Sequence, residues 1–392
     1  MKRSVALVLI TILLISAVLP LDIAAEGSAS SPLNYGIKNP TELEIGAPSA
    51  ILIEAETGTV LYCKNQTEKR SPASVTKIMT LLLVCEALDC EQITLDDTVV
   101  ISAYAASMGG SQVFLEEGES FKVEELIKCT VIASANDAAV ALAELVAGNE
   151  ASFVAKMNAR ASELGMRNTR FENVSGLDDT TTEHLTSAED IAIMSRELIK
   201  YDVILKYSSL WQDSIRNGEF QLTNTNRLVR FYDGCNGLKT GSTDKAGFCI
   251  SATAKRDGMQ LIAVIMGANT RDARNADARA LLDYGFATYA LYHKDEQEIE
   301  AVRIRGGSED SVMTYSGRFA CVVKKAELKT VEELYHIPDY VTAPLEEHTV
   351  VGKIEFKIGS DIIGSADIYA KQSVERIGFF ELFLKIIKNL LS

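Results

Sequence analysis

The sequence predicts an α/β sandwich, an antiparallel sheet covered by helices, followed by a small all-β domain and a C-terminal amphipathic helix. Strand pairs joined by turns stand at both ends of the stretch from Ser49 to Met266, and helical patterns fill the interval. Strands at the ends with helices between them imply one sheet with segregated layers. From about Glu298 the pattern changes to short strands parted by turns. From Ile377 onward the chain is apolar except for charges recurring at helical spacing.

Taken in order, Lys2-Arg3, an apolar run from Val5 to Leu19, Pro20 and the small residues Ala24-Ala25 have the layout of a secretory signal peptide, residues 1–25. The run is short for a membrane span, which favours cleavage over a retained anchor. After a Ser/Pro/Asn-rich lead-in, Ser49–Ala55 reads as a buried strand, turned by Glu56-Thr57-Gly58 into Thr59–Tyr62. Ser71 is placed to cap a helix and Pro72 to be its first residue. The residues that follow, through Val84, are apolar on nearly all sides, the mark of a helix buried in mid-domain. Glycines at 109, 110 and 118 punctuate a loop-rich section, and Val123–Ser134 and Asn136–Val146 are helical by periodicity. Phe171–Thr186 is polar and reads as a surface loop, and Ser187–Ile199 as a helix. Phe248–Ala254 and Gln260–Met266, joined through Arg256-Asp257-Gly258, give the strongest hairpin signal, and Arg274–Ala290 closes this part as a helix. The expected divisions are the α/β domain over 34–292, the β domain over 297–372 and the C-terminal helix over 374–392.

Composition excludes several function classes. The chain of 392 residues carries a net charge of −15, which argues against nucleic acid as a partner and against adhesion to anionic lipid by charge. The seven cysteines are odd in number and show neither disulfide nor zinc spacing; Cys85 and Cys249 lie inside apolar runs, where a thiol packs as a small hydrophobe. The histidines at 184, 293, 336 and 348 are scattered, so neither a metal nor a cofactor is expected.

Three short strings carry chemistry. Ser74 and Lys77 are three apart at a helix start, which sets a hydroxyl beside an amine on one face, with the positive end of the helix nearby. The pattern is cheap: Ser242-Thr243-Asp244-Lys245 repeats it, and a serine at a helix start is commonly a cap. Ser134-Ala135-Asn136 falls at the break between two helices, where Asn136 can cap the second or where both side chains can face Ser74 and Lys77. Lys239-Thr240-Gly241 is expected at the start of a strand, its lysine and threonine suited to a carboxylate and its glycine leaving room for a ligand's backbone. Each alone is ordinary; in this order and at these separations they are collectively specific.

Together these motifs resemble the low-molecular-mass penicillin-binding serine D-Ala-D-Ala carboxypeptidases, of β-lactamase/transpeptidase-like fold. The likeness extends to Ser134–Ala139, Thr223–Asn226, Gly237–Gly241 and Ala246–Cys249, and to the order of signal peptide, catalytic domain, β domain and amphipathic tail. The resemblance implies that Ser74 attacks the penultimate D-Ala carbonyl of a peptidoglycan stem peptide, with Lys77 as base and Ser134 as proton relay. It further implies that Asn136 holds the substrate amide, that Lys239 and Thr240 of the Lys-Thr-Gly string meet the terminal carboxylate, and that the Ser74 and Ser242 N–H groups form the oxyanion hole. Arg274 stands where relatives carry a carboxylate-binding arginine, with Arg271 a near rival. One departure is Ser175 before Gly176-Leu177-Asp178, where many relatives have histidine. The implied partners are stem peptides ending in D-Ala-D-Ala, β-lactam antibiotics, and a membrane surface bound through the C-terminal helix, with the exported protein at the outer face of the cytoplasmic membrane or in the cell wall. Alternatives within the fold are a serine β-lactamase, whose deacylating Glu-x-x-x-Asn string is absent between Asn136 and Lys239, and a transpeptidase. Outside it stands a catalytically silent wall-binding or sensor protein.

Overall fold

The computed structural model describes residues 32–37, 43–179 and 181–391. The signal peptide expected over residues 1–25 lies outside them. The central sheet is built from β1 (Ser49–Glu54), β2 (Val60–Lys64), β3 (Cys235–Thr243), β4 (Gly247–Arg256) and β5 (Met259–Ala268), in the order β2-β1-β5-β4-β3 and antiparallel throughout. Side chains alternate across it. Ile51, Ile53, Ile262, Val264 and Met266 enter one core, whereas Ala50, Leu52, Leu261, Ala263 and Ile265 enter the other. Both faces are covered, which is why these strands read as continuous apolar runs rather than alternating ones. Each buried Ile or Leu contributes roughly 1.5–3 kcal/mol.

The larger core is filled by α1 (Lys77–Asp89), α2 (Val123–Ile132), α3 (Asn136–Ala147) and α4 (Ala188–Leu198). Helix α1 is buried from Lys77 through Cys85, as its all-round apolarity requires. The opposite face is covered by α5 (Arg271–Thr288), through Ala278, Leu281, Leu282 and Phe286.

Several boundaries differ from expectation for local reasons. Ser71 caps nothing: Ala73–Thr76 is a 3-10 turn whose N-cap, Pro72, makes no side-chain hydrogen bond, and Ser71 Oγ turns instead to Asp178 Oδ2 at 3.4 Å. Ala73, at φ +48°, bends the chain so that regular α-helix begins only at Lys77. Helix α2 stops at Ile132 because Ser134 is left-handed, at φ +65°. Helix α5 starts three residues early because Thr270 Oγ1 accepts from the Ala273 N–H at 3.0 Å, a cap the apolar periodicity does not reveal.

The C-terminal region is a six-stranded sheet, in spatial order Val331–His336, Val350–Ile358, Asp361–Ala370, Ser311–Ser316, Glu298–Arg305 and Tyr340–Thr342. It has its own core around Val312, Ile354, Phe356 and Ile368. Tyr289–Lys294, directly after α5, pairs antiparallel with Phe319–Lys324, so this strand crosses the expected boundary at residue 292. The chain ends in α6 (Phe379–Leu391), on which Phe379 and Phe380 are 80% and 79% exposed. Among the described residues no single helix is long and apolar enough to cross a membrane.

Candidate active site

The fold brings all three strings to one cleft. Its floor is the Ala73–Thr76 turn carrying Ser74; one wall is the α2–α3 turn with Ser134 and the other is β3. Because β3 is an edge strand, its outer side faces the turn and the cleft rather than another strand. The cleft has a volume of about 400 Å³ and is lined by Ser74, Ser134, Thr240, Gly241, Ser242 and Arg274 among others. A larger cleft of about 990 Å³, along Tyr104, Glu150 and Glu172, does not include Ser74, so volume does not select the site; the chemistry does.

Lys77 is fully buried, and its Nζ lies 2.9 Å from Ser74 Oγ, 2.6 Å from Asn136 Oδ1 and 2.7 Å from the Ser175 carbonyl oxygen. Burial, and then the charge of Lys239, hold its pKa well below the ordinary lysine value, with Asp137 opposing. A neutral amine has two hydrogens and one lone pair. In its neutral form the amine gives its two hydrogens to the amide and carbonyl oxygens, which only accept, and keeps a lone pair into which the Ser74 hydroxyl can donate.

Asn136 was a candidate helix cap, but its side chain caps nothing: Oδ1 goes to Lys77 and Nδ2 donates to the Gly109 carbonyl at 2.7 Å. Lys239 Nζ donates to Ser134 Oγ at 2.8 Å and to the Thr240 carbonyl at 2.9 Å. Burial, then Arg274, bring the Lys239 pKa down to about 7. The Lys-Thr-Gly string lies in the second half of β3, not at its start. Nor is the space at Gly241 left for a ligand's backbone: a Cβ there would stand 2.8 Å from Pro72 O and Ser74 N and 2.9 Å from Val75 N. The glycine lets the strand press against the chain's own nucleophile turn.

Residues 36–270 match the family model for D-alanyl-D-alanine carboxypeptidase, and residues 286–376 match that for the penicillin-binding protein 5 C-terminal domain. The chain belongs to the D-alanyl-D-alanine carboxypeptidase family. It is 42% identical to the carboxypeptidase DacF of Bacillus subtilis over 89% of this chain and 90% of the relative. Against DacC of Escherichia coli the identity is 34%, over 86% and 88%. Among solved structures, penicillin binding protein 5 from Haemophilus influenzae superposes with a TM-score of 0.75 at 30% identity, over 87% of this chain and all of that one. Penicillin-binding protein D2 from Listeria monocytogenes, solved in its ampicillin-bound form, superposes with a TM-score of 0.58 at 31% identity, over 62% and 99%. The protein is accordingly a serine-type D-Ala-D-Ala carboxypeptidase acting on peptidoglycan, with a mixed α/β catalytic domain and a β-rich C-terminal domain.

In this carboxypeptidase the far end of the cleft is strongly basic. Arg274 is 3% exposed, its pKa is lowered to about 10 by burial and by Arg271 and Arg227, and all three arginines line the cleft. Among the described residues no Asp or Glu lines the cleft, and the Arg274 guanidinium donates to Asn275 Oδ1 at 2.9 Å and to the Cys249 carbonyl at 3.5 Å. Sequence reading missed three supporting groups. Asp137, buried, accepts from the N–H groups of Val113 at 3.0 Å and Leu115 at 3.1 Å, and so shapes the loop behind Asn136. Thr225 Oγ1 accepts from Thr240 Oγ1 at 2.8 Å. The Ser175 contact with Lys77 is made by a main-chain carbonyl, so the departure from histidine at this position leaves it intact.

Proposed function

We propose that Ser74 is the nucleophile, neutral Lys77 its base, and Ser134, Asn136, Lys239, Thr240, Ser242 and Arg274 the groups that hold and protonate the substrate, with Gly241 setting the strand against the Ser74 turn. Ser74 Oγ attacks the penultimate D-Ala carbonyl while its proton passes to Lys77 Nζ, and the oxyanion that forms is met by the Ser74 and Ser242 N–H groups. Losing one such donor typically costs ~3 kcal/mol of transition-state stabilisation. As the C–N bond breaks, the proton moves from Lys77 through Ser134 to the departing amine, and D-Ala leaves. Water then adds to the ester carbonyl, its proton is taken up by Lys77, and the Ser74 Oγ–C bond breaks to regenerate the hydroxyl. Lys239, Thr240 and Arg274 bind the terminal carboxylate, and Asn136 orients Lys77 as well as the substrate amide.

The observation that carries this reading is Lys77 Nζ at 2.9 Å from Ser74 Oγ, held there by Asn136 Oδ1 and the Ser175 carbonyl, in a buried setting that lowers its pKa. The test is D-Ala release from a peptide ending in D-Ala-D-Ala, wild type against Ser74→Ala, alongside mass spectrometry after penicillin treatment. Release and a stable adduct are expected from the wild type alone; equal release from both proteins removes Ser74 from its role. An amine acceptor in place of water would show as a crosslinked product.

The same reading assigns residues 1–25 as an export signal, 34–292 as the catalytic domain and 297–372 as the β domain, with the Tyr289–Lys294 strand running across that boundary, and takes α6, within 374–392, to lie in the outer interface of the cytoplasmic membrane. Support for the last comes from the exposed Phe379, Phe380, Phe383 and Leu384. Flotation with phospholipid vesicles is expected for the full chain and lost on removal of residues 374–392; equal flotation of both forms places the anchor elsewhere.

A further inference from the structure

We infer that His184 is a positioning residue for the oxyanion hole: through Thr76 it fixes the carbonyl of Ala73, and with it the N–H of Ser74 in the same peptide unit. The inference rests on the proposed role of that N–H.

His184 lies at the end of the 171–186 loop and is 1% exposed. Its Nδ1 accepts from the Glu172 N–H at 3.0 Å, so that nitrogen carries no proton and the neutral ring holds its single hydrogen on Nε2. Burial keeps the ring neutral, with a pKa lowered to about 4. Nε2 lies 2.8 Å from Thr76 Oγ1 and donates to it. Thr76 Oγ1 in turn donates its one hydrogen to the Ala73 carbonyl, which can only accept, at 2.8 Å. The direction of every bond in this chain is therefore fixed.

A peptide unit is planar and trans, so the Ala73 C=O and the Ser74 N–H point to opposite sides and turn together. Both sides are closely walled. On the carbonyl side the backbone of Gly176 passes so near that a Cβ there would stand 1.8 Å from Ala73 O and 2.8 Å from Thr76 Oγ1. On the other side a Cβ at Gly241 would stand 2.8 Å from Ser74 N. Ala73 itself sits at φ +48°, a left-handed conformation that an alanine does not hold unaided. Left to relax, this peptide would rotate and swing the Ser74 N–H away from the oxyanion. The histidine–threonine pair opposes that rotation, which makes the 171–186 loop part of the mechanism without any of the loop's side chains touching substrate.

The experiment compares His184→Asn with His184→Gln in the full chain. Asparagine keeps an acceptor near the Nδ1 position and loses the Nε2 donor; glutamine supplies a donor near the Nε2 position. For His184→Asn we expect kcat, and affinity for a boronic acid that forms a tetrahedral adduct on serine, to fall about tenfold with KM little changed. His184→Gln should recover most of that loss. Thr76→Val should reproduce it, and adding His184→Asn to Thr76→Val should cost little more. Equal losses in the Asn and Gln variants, a loss confined to KM, or additive effects in the double variant overturn the proposal. If thermal melting shows His184→Asn unfolded, Thr76→Val decides alone: wild-type kcat in it refutes the link. Failure of the underlying reading is distinguishable, since it appears as a penicillin adduct persisting in Ser74→Ala.

Discussion

Replacing Gly241 with alanine tests whether β3 and the nucleophile turn form one rigid unit. The added methyl group would lie 2.8 Å from Pro72 O, 2.8 Å from Ser74 N and 2.9 Å from Val75 N, all of them main-chain atoms that cannot rotate aside. Ordinary contact begins near 3.4 Å, so strand and turn must separate by about 0.6 Å (3.4 less 2.8). Gly241 is not among the residues with positive φ, so alanine adds no torsional strain and the effect is one of space alone. Overpacking of this kind costs roughly 1–3 kcal/mol of stability. Misplacement by ~1 Å costs about a hundredfold in rate, so a shift of about 0.6 Å predicts a loss of roughly ten- to a hundredfold in acylation. The assay is stopped-flow or quenched labelling with a fluorescent penicillin, with circular dichroism and thermal melting as controls. A folded Gly241→Ala protein acylated at the wild-type rate would falsify the claim that this contact sets the spacing between Ser74 and the Lys239–Thr240 edge.

Three further outcomes follow from the electrostatics. Lys239 must be protonated to bind a carboxylate, and its pKa is lowered to about 7, so kcat/KM for a D-Ala-D-Ala peptide should fall as pH rises through about 7. Lys239→Arg, charged throughout this range, should lose that basic limb; an unchanged limb assigns it to another group. Asp137 raises the Lys77 pKa, so Asp137→Asn should move the acidic limb of penicillin acylation to lower pH. The same change should destabilise the fold by roughly 1–3 kcal/mol through the weakened Val113 and Leu115 bonds; a limb that stays in place denies the coupling. Arg227 and Arg271 line the cleft beside Arg274, so neutralising both as Arg227→Gln/Arg271→Gln should lower kcat/KM about tenfold at low ionic strength and flatten its salt dependence. Identical salt slopes in the two proteins count against electrostatic capture of the substrate.

The parts legible in the sequence were those that a residue type must announce. Ser74, Lys77, Ser134, Asn136 and Lys239 stood out by their functional groups, and the fold brings Ser74 and Asn136 within hydrogen-bonding distance of Lys77, and Ser134 within that of Lys239. The sheet was legible because burial on both faces leaves long apolar runs in β4 and β5. What stayed hidden works through main chain or through distant pairing. The Ser175 carbonyl would serve with any side chain, and the tight passage of Gly176 over Ala73 joins residues about a hundred apart. Asp137 stands in the first turn of α3, and its carboxylate is spent on the 113–115 backbone, a pairing across more than twenty residues that no local pattern announces. The capping signal at Ser71 misled, since its hydroxyl turns to Asp178, whereas of the two places open to Asn136 the fold takes the one facing Lys77.

The Ser74 turn is gripped from one side by residue 176 and from the other by residue 241, while its lysine leans on residue 136. No amino-terminal fragment that stops short of β3 can therefore possess a reactive serine, however well its own helices form. A labelled β-lactam thus doubles as a sensor of completed assembly: on a gel it would count only those molecules whose β3 has closed against the Ser74 turn, and chains truncated before that strand would stay dark.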